Sequence, residues 1–164
     1  MIRLAMIGDI GSGKSYIGKL FGYPVFNADL EVIKLYKKNR ECFKKLKKKL
    51  PNFITSFPIK KQELARAIAK NKNNIKKINK IVHPEIRYKL NAFTKRNNKK
   101  RFVVLDIPLL LENNINKKKD ILIFVDAQKK EINKRLKKRN NSKHKILRKF
   151  QLPVEIKKRK QILL

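Results

Sequence analysis

The segment Gly8-Asp9-Ile10-Gly11-Ser12-Gly13-Lys14-Ser15 decides how this chain folds, because it fits the pattern GxxxxGK[ST]. A short apolar run at residues 4–7 precedes it, and residues 15–21 after it carry apolar side chains at helical spacing. This order of strand, glycine-rich loop and helix is the context in which the pattern forms a phosphate loop. Backbone N–H groups would hold the phosphates there, with Lys14 bridging them and Ser15 as a ligand of Mg²⁺.

The segments around the loop predict an α/β fold, a P-loop NTPase-type parallel sheet flanked by helices. Residues 102–105 and 121–125 are continuous apolar runs of strand length, as expected for strands that helices cover on both faces. A brief strand is expected at residues 25–26. Because strands and helices alternate, the crossovers should be right-handed and ligands should bind at the carboxyl ends of the strands.

Apolar residues at helical spacing predict a helical insertion between the second and third strands, and further helices after the fourth. Pro84 suits the first turn of a helix, so one helix should begin there. Helices are expected at residues 30–50, 62–69, 74–81, 84–96, 129–139 and 143–150.

The charge balance of the chain is strongly basic. Lys and Arg number 45 against 12 Asp and Glu, which gives a formal net charge of +33 at pH 7. Such a charge attracts nucleic acid, acidic membranes and phosphate ligands. The cations are mostly Lys and are spread over nearly every segment, so biased residue usage explains them better than a dedicated nucleic-acid surface. Nucleic acid should therefore bind only non-specifically.

Cysteine content and apolar runs indicate the compartment. Cys42 is the only cysteine, which excludes an intrachain disulfide and a cysteine metal cluster and suits a reducing cytosol. The N-terminus lacks the apolar stretch of a signal peptide, and the runs at residues 102–111 and 121–125 are too short to span a bilayer. We expect one compact, soluble, cytoplasmic domain of residues 1–164 without a membrane partner.

Several charged residues outside the loop are candidates for catalysis. Asp29 follows the second strand and could accept a proton from an acceptor hydroxyl, with capping of the next helix as the alternative. Asp106 ends the third strand, where it could assist Mg²⁺ or serve ordinary turn chemistry. Arg135 and Arg139 share a helix face and could clamp a polyphosphate or simply face solvent. For His83, capping or packing is the more common role.

The order of these motifs resembles that of the dephospho-coenzyme A kinase family, and the resemblance covers essentially the whole chain. It implies transfer of phosphate from ATP, with Mg²⁺, to the ribose 3′-hydroxyl of dephospho-coenzyme A, the last step of coenzyme A synthesis. The residues that carry the resemblance are Gly8 to Ser15, Asn27-Ala28-Asp29, His83-Pro84, Asp106, Pro108-Leu109-Leu110-Leu111-Glu112, Arg135, Arg139 and Gln151.

The resemblance also implies roles for particular residues. Asp29 would be the base, acting with Lys14 and Arg135. A core of residues 1–29 and 100–127 would carry an acceptor-binding insertion at 30–99 and a lid with C-terminal helices at 128–164. The implied acceptor contacts are Asp29, Lys61, His83, Pro108 and Leu109. The implied nucleotide contacts are Gly8, Asp9, Ile10, Gly11, Ser12, Gly13, Lys14, Ser15, Tyr16 and Arg139, and the implied metal contacts are Ser15 and Asp106.

The chain departs from the family pattern at several positions. Asn27 replaces the first Asp of a pair, and Asp9 replaces a Gly of the phosphate loop. Lys61 replaces an Arg, which weakens any bidentate contact with a phosphate of the acceptor. The family also runs on past Leu164 into a loop near the adenine, so an incomplete nucleotide-base pocket and marginal stability are expected.

Two other functions fit the same residues. Another P-loop kinase, for nucleosides or nucleotides, would share the loop, base and lid. A basic nucleic-acid-binding protein that keeps the loop as a scaffold would instead show steep salt dependence without phosphoryl transfer.

Overall fold

The computed structural model describes residues 1–139, with side chains described up to residue 137. The helix predicted at 143–150 and the residue Gln151 lie outside the described residues. In chain order the elements are β1 Ile2–Gly8, α1 Lys14–Leu20, β2 Val25–Asn27, α2 Ala28–Lys38, α3 Arg40–Lys49, α4 Lys61–Lys70, α5 Asn74–Arg96, β3 Phe102–Asp106, β4 Ile121–Val125 and α6 Lys129–Arg139.

The four strands form one sheet in the order β2-β3-β1-β4, and every neighbouring pair is parallel. Leu4 in β1 lies opposite Val104 in β3 and opposite Ile121 in β4. At the other side of β3, Asn27 lies opposite Asp106. The carboxyl ends of all four strands therefore meet at one edge, and the phosphate loop leaves from the middle of it. The predicted α/β fold with a parallel sheet flanked by helices is confirmed.

The chain divides into two compact units, which we call the sheet unit and the helical unit. The helical unit is Ala28–Phe93, and the sheet unit is Met1–Asn27 together with the segment that begins at Thr94. In the sheet unit, Met6 and Val104 are fully buried at the centre of a cluster against which Ile17 packs. The assignment of all 164 residues to a single kinase domain stays a prediction.

A buried ion pair joins the start of β1 to the turn before β4. Arg3 is only 5% exposed and Asp120 only 4%. Arg3 Nε donates to Asp120 Oδ1 at 2.7 Å, Arg3 Nη2 donates to Asp120 Oδ2, and Asp120 Oδ2 also accepts from the backbone N–H of Lys117. Such a pair is stable only because each charge has several hydrogen-bond partners. The pair fixes where the outer strand β4 enters the sheet.

The single helix predicted at residues 30–50 is wrong, because the segment forms two helices that meet at Asn39. The backbone of Asn39 is extended, and its side chain accepts a hydrogen bond from the N–H of Cys42 at 2.7 Å. Asn is among the best N-cap residues because this bond satisfies a helix-end donor that otherwise lacks a partner. The local capping chemistry therefore starts a new helix inside an apolar pattern that continues through it.

The prediction that one helix ends before Pro84 and another begins there is also wrong. Pro84 lies inside the 23-residue helix α5. Proline removes one intrahelical hydrogen bond and favours a kink or a break. The buried residues on either side continue one row four residues apart, and packing of that row offsets the lost bond. The members of this row are Ile78, Val82, Ile86 and Leu90. Within residues 1–139, no helix is both long and apolar enough to cross a lipid bilayer.

Candidate active site

The phosphate loop is shaped by contacts with β4 at one end and with α1 at the other. Gly8 has φ 132°, and a Cβ atom there would lie 2.3 Å from the carbonyl oxygen of Val125. Ser12 N donates to Asp9 O at 3.1 Å, which closes a turn. Gly13 has φ 107° and caps α1, accepting from the N–H of Ile17 at 3.0 Å. The loop thus needs glycine at residue 8 because the neighbouring strand leaves no room for a side chain.

The side chains of Lys14 and Ser12 carry hydrogen-bond donors in the loop. Lys14 Nζ donates to Gly8 O at 3.1 Å and to Asp9 O at 2.7 Å, so the ammonium group lies over the start of the loop. Ser12 is 5% exposed, and its Oγ is buried without a hydrogen-bond partner among the described residues. A buried hydroxyl without a partner costs free energy that a bound anion would recover. The loop therefore has the donors of a phosphate site.

The remaining predicted nucleotide contacts differ in exposure. Ser15 and Tyr16 are exposed in the first turn of α1, whereas Ile10 is half-buried. Arg139 is the last residue of α6, and its side chain lies outside the described residues.

The helix α6 contacts the phosphate loop directly. Arg135 Nη1 donates to Gly11 O at 3.2 Å and to Ser12 O at 3.1 Å. A Cβ atom on Gly11 would lie 3.2 Å from side-chain carbons of both Ile132 and Leu136. The structure therefore brings Arg135 to the loop, where its guanidinium group contacts two backbone carbonyls.

Asp106 lies at the carboxyl edge of the sheet with an amide beside it. Asp106 is 4% exposed, and Asn27 Nδ2 donates to its Oδ2 at 2.6 Å. Asn27 is the residue that departs from the family pattern, and here it supplies the donor that a carboxylate could not. In the turns that follow, Pro108 and Leu109 are half-buried, and Leu109 has φ 54°. Non-glycine residues rarely adopt this left-handed conformation, and such strain concentrates at functional sites. Nothing in the residue type of Leu109 signalled it.

A buried carboxylate organises the loop that leads into α4, and sequence reasoning missed it. Glu63 is only 2% exposed. Its Oε1 accepts three hydrogen bonds, from Thr55 N at 2.9 Å, Thr55 Oγ1 at 2.7 Å and Ser56 N at 3.0 Å. Its Oε2 accepts a fourth, from Lys60 N at 3.0 Å. Burial raises the pKa of Glu63, but these hydrogen bonds outweigh it and lower the pKa to about 2. Glu63 has the position of the glutamate in a capping box, but the N-cap residue is Lys60 and not the usual Ser or Thr, so only half of that sequence pattern is present. Lys61, a predicted acceptor contact, is the first residue of this helix.

The two other predicted acceptor contacts in the helical unit lie on separate helices. Asp29 is in the first turn of α2, two residues after the end of β2. His83 is half-buried in the middle of α5, and its pKa is lowered by burial and by the nearby charge of Arg87. His83 is therefore neutral near pH 7. It lines a groove of about 490 Å³ on α5 together with Lys76, Asn79, Lys80, Pro84 and Arg87.

Comparison with known proteins identifies one family and several similar chains. The family model described as "CoaE: Dephospho-CoA kinase" matches residues 2–162. A dephospho-CoA kinase of Wolbachia sp. subsp. Brugia malayi is 32% identical over 94% of this chain and 83% of its own length, and one of Wolbachia pipientis wMel is 30% identical over 95% and 84%. The structure titled "Crystal structure of TT1252 from Thermus thermophilus" superposes with a TM-score of 0.77 at 27% identity, covering 98% of this chain and 85% of that one.

The family match spans nearly the whole chain, and two relatives are at least 30% identical over most of it. The resemblance stated from the sequence motifs is thus confirmed. This favours a kinase over a nucleic-acid-binding protein that keeps the loop only as a scaffold. This chain belongs to the dephospho-CoA kinase family.

Proposed function

We propose that this chain catalyses the reaction of its family, the transfer of the γ-phosphoryl group of ATP to the ribose 3′-hydroxyl of dephospho-coenzyme A. The observation that carries the proposal is the phosphate loop, where Lys14 Nζ and the buried Ser12 Oγ supply donors for phosphate oxygens. Catalysis of phosphoryl transfer depends mainly on positioning and on stabilisation of charge, and the loop provides both.

Asp29 is the proposed base. Its carboxylate accepts the proton of the 3′-hydroxyl as the hydroxyl oxygen forms its bond to the γ-phosphorus. The bond between the γ-phosphorus and the bridging oxygen breaks, and ADP leaves with that electron pair. Lys14 stabilises the charge that develops on the phosphate oxygens. Arg135 supports this step through the loop, and Arg139 is proposed as a further nucleotide contact.

Mg²⁺ is proposed as the metal that accompanies ATP. Among residues 1–139, no group of three or more His, Cys, Asp or Glu could hold a metal by itself. A hydroxyl at Ser15 and a buried carboxylate at Asp106 are hard oxygen donors, which fit Mg²⁺ when nucleotide phosphates complete its coordination. Bound Mg²⁺ would neutralise charge on the β- and γ-phosphates.

The acceptor is proposed to bind to cationic side chains and to the turns that follow β3. The groove on α5 presents Lys76, Lys80 and Arg87 beside the neutral His83, a lining suited to phosphate groups. Lys61, Pro108 and Leu109 are proposed as further acceptor contacts. We expect this activity in the cytoplasm, where the free and buried Cys42 stays reduced.

The test is turnover of ATP and dephospho-coenzyme A by the wild-type chain, Lys14→Ala and Asp29→Asn. Both substitutions should lower kcat by at least about a hundredfold, because each removes a group of the reacting centre. Lys19→Ala, on the exposed end of α1, is the matched control for lost charge. Glu41→Gln, like Asp29 an acid in the first turn of a helix, controls for helix capping.

The outcomes separate the alternatives. Wild-type turnover that both variants lose, with the controls unchanged, supports the proposal. A folded wild-type chain that binds ATP but phosphorylates only nucleosides or nucleotides would reject dephospho-coenzyme A as the acceptor. Nucleic acid is proposed to bind only through the net charge of +33, with an affinity that falls steeply with salt and without competition from ATP.

A further inference from the structure

The contact between α6 and the phosphate loop assigns a specific task to Arg135. We propose that Arg135 is a positioning residue that fixes two successive peptide groups of the loop, so that it strengthens the binding of every nucleotide whose phosphates the loop holds. This inference rests on the proposed nucleotide site. It differs from a lid arginine that acts only on the phosphoryl group being transferred.

The carbonyl contacts determine where the loop amides point. In a planar trans peptide the C=O and the N–H point to opposite sides. Arg135 holds the Ser12 carbonyl at 3.1 Å, so the N–H of Gly13 in the same peptide is directed away from α6. Arg135 also holds the Gly11 carbonyl at 3.2 Å, and the N–H of Ser12 in that peptide closes the turn with Asp9 O. One guanidinium nitrogen thus sets two peptide orientations.

The loop has a reason to need such a restraint. Gly13 is held at φ 107°, and glycine loses more backbone freedom than any other residue when one conformation is imposed. A restraint present before the nucleotide arrives lowers the entropy cost of binding. Arg135 therefore acts on affinity through preorganisation of the Ser12–Gly13 peptide.

Apolar packing keeps α6 in the position that Arg135 requires. Ile132 is 3% exposed, and its Cγ2 would lie 3.2 Å from a Cβ atom at Gly11; side-chain carbons of Leu136 would lie equally near. Gly11 thus leaves the space into which these two side chains pack. The docking of α6 and the two hydrogen bonds of Arg135 depend on each other, so substitutions of Ile132 and Arg135 should have coupled effects on nucleotide binding.

The first test measures the loop itself, in the protein without nucleotide. Hydrogen exchange of the amides in residues 8–15 should accelerate by roughly three- to tenfold in Arg135→Ala, since the net contribution of a hydrogen bond that is partly exposed to water is of this order. Lys134→Ala removes the same charge from an exposed site on the same helix and should leave the exchange unchanged. Unchanged exchange in Arg135→Ala would overturn the proposal, whether or not the chain proves to be a kinase.

The second test measures dissociation constants for ATP and for ADP. Arg135→Ala should weaken both by a similar factor, roughly three- to tenfold, because both place phosphates in the loop. A loss confined to ATP, or to kcat, would show instead that Arg135 touches the γ-phosphate. Ile132→Ala should reproduce the effect partly, and its combination with Arg135→Ala should weaken ADP binding by less than the product of the two single effects. Independent effects would contradict the coupling.

Discussion

The sheet unit and the helical unit use their buried polar groups in different ways. In the sheet unit, the pairs Arg3–Asp120 and Asn27–Asp106 join separate strands or strand ends through side chains. In the helical unit, Glu63 accepts mainly from backbone N–H groups of residues close to it in sequence. The sheet unit therefore depends on strand register, whereas the loop before α4 depends on one carboxylate.

The largest effect should come from placing a side chain at Gly8, between β1 and β4. Gly8→Ala would place a Cβ atom 2.3 Å from the carbonyl oxygen of Val125, so β1 and β4 would have to separate. We expect a loss of about 4 kcal/mol in the free energy of unfolding, together with loss of ATP binding. Thermal and urea unfolding measure the first, and titration calorimetry measures the second.

Gly22→Ala is the matched control for this prediction. Gly22 also has a positive φ, 68°, but nothing lies within 4 Å of a Cβ atom there. It should cost only about 1 kcal/mol, the strain of a left-handed alanine. Equal losses in the two variants would show that backbone strain, and not the contact with β4, makes glycine necessary at residue 8.

The next effect should come from removing the carboxylate that organises the helical unit. Glu63→Gln keeps the shape but puts an NH₂ group against N–H donors, so we expect a loss of about 2 kcal/mol at pH 7. The pKa of Glu63 is lowered to about 2 from its ordinary value of 4.5. Its contribution is thus present above about pH 4.5 and is lost as the pH falls toward 2. The difference between the urea midpoints of the two proteins should be full at pH 7, shrink as the pH falls below about 4.5 and vanish only near pH 2. A difference that does not change with pH would contradict this.

Sequence reasoning succeeded where contiguous residues carry the signal. The loop from Gly8 to Ser15 is defined by its spacing, and the apolar runs of β3 and β4 identify buried strands. It failed where a contact joins distant residues or where packing overrides a local preference. Pro84 inside α5 is the second kind, since the buried row of α5 continues past it.

The contacts of Arg135 and Asn27 show why part of the site could not be predicted. Helical spacing placed Arg135 on a face, but which carbonyls it meets depends on how α6 packs on the loop. The donor role of Asn27 depends on the register that sets it opposite Asp106. The role of Glu63 had only a partial signal in the sequence, because the capping pattern that contains such a glutamate usually has Ser or Thr where this chain has Lys60.

A smaller effect should come from restoring the family's carboxylate at residue 27. Asn27→Asp would replace a hydrogen bond of 2.6 Å with two carboxylates facing each other. We expect the free energy of unfolding to fall by about 1–2 kcal/mol without Mg²⁺, because like charges at this distance repel and the donor is lost. Mg²⁺ should recover part of the loss, since a cation screens the pair. Melting curves with Mg²⁺ and with chelator measure both, and a loss that Mg²⁺ leaves untouched would argue against a metal beside Asp106.

The smallest effect should come from Lys61, and it tests whether the loop that Glu63 holds in place contributes to binding of the acceptor. Lys61 begins α4, one residue after the Lys60 N–H that Glu63 holds at 3.0 Å. Lys61→Arg would offer a planar fork to a phosphate of the acceptor, where lysine offers a single point charge. We expect the KM for dephospho-coenzyme A to fall by about two- to fivefold, with kcat and the KM for ATP unchanged.

A lysine-to-arginine substitution at the other end of α4 tests whether the lower KM comes from a contact at residue 61 or from any arginine on this helix. Lys70→Arg is exposed in the last turn of α4, so it should leave every constant unchanged. If both variants lower the KM alike, the effect reflects a general preference for arginine on this helix and not a contact at residue 61. If only Lys61→Arg does, Glu63→Gln should abolish the gain, because a fork helps only where the backbone that carries it is held in place.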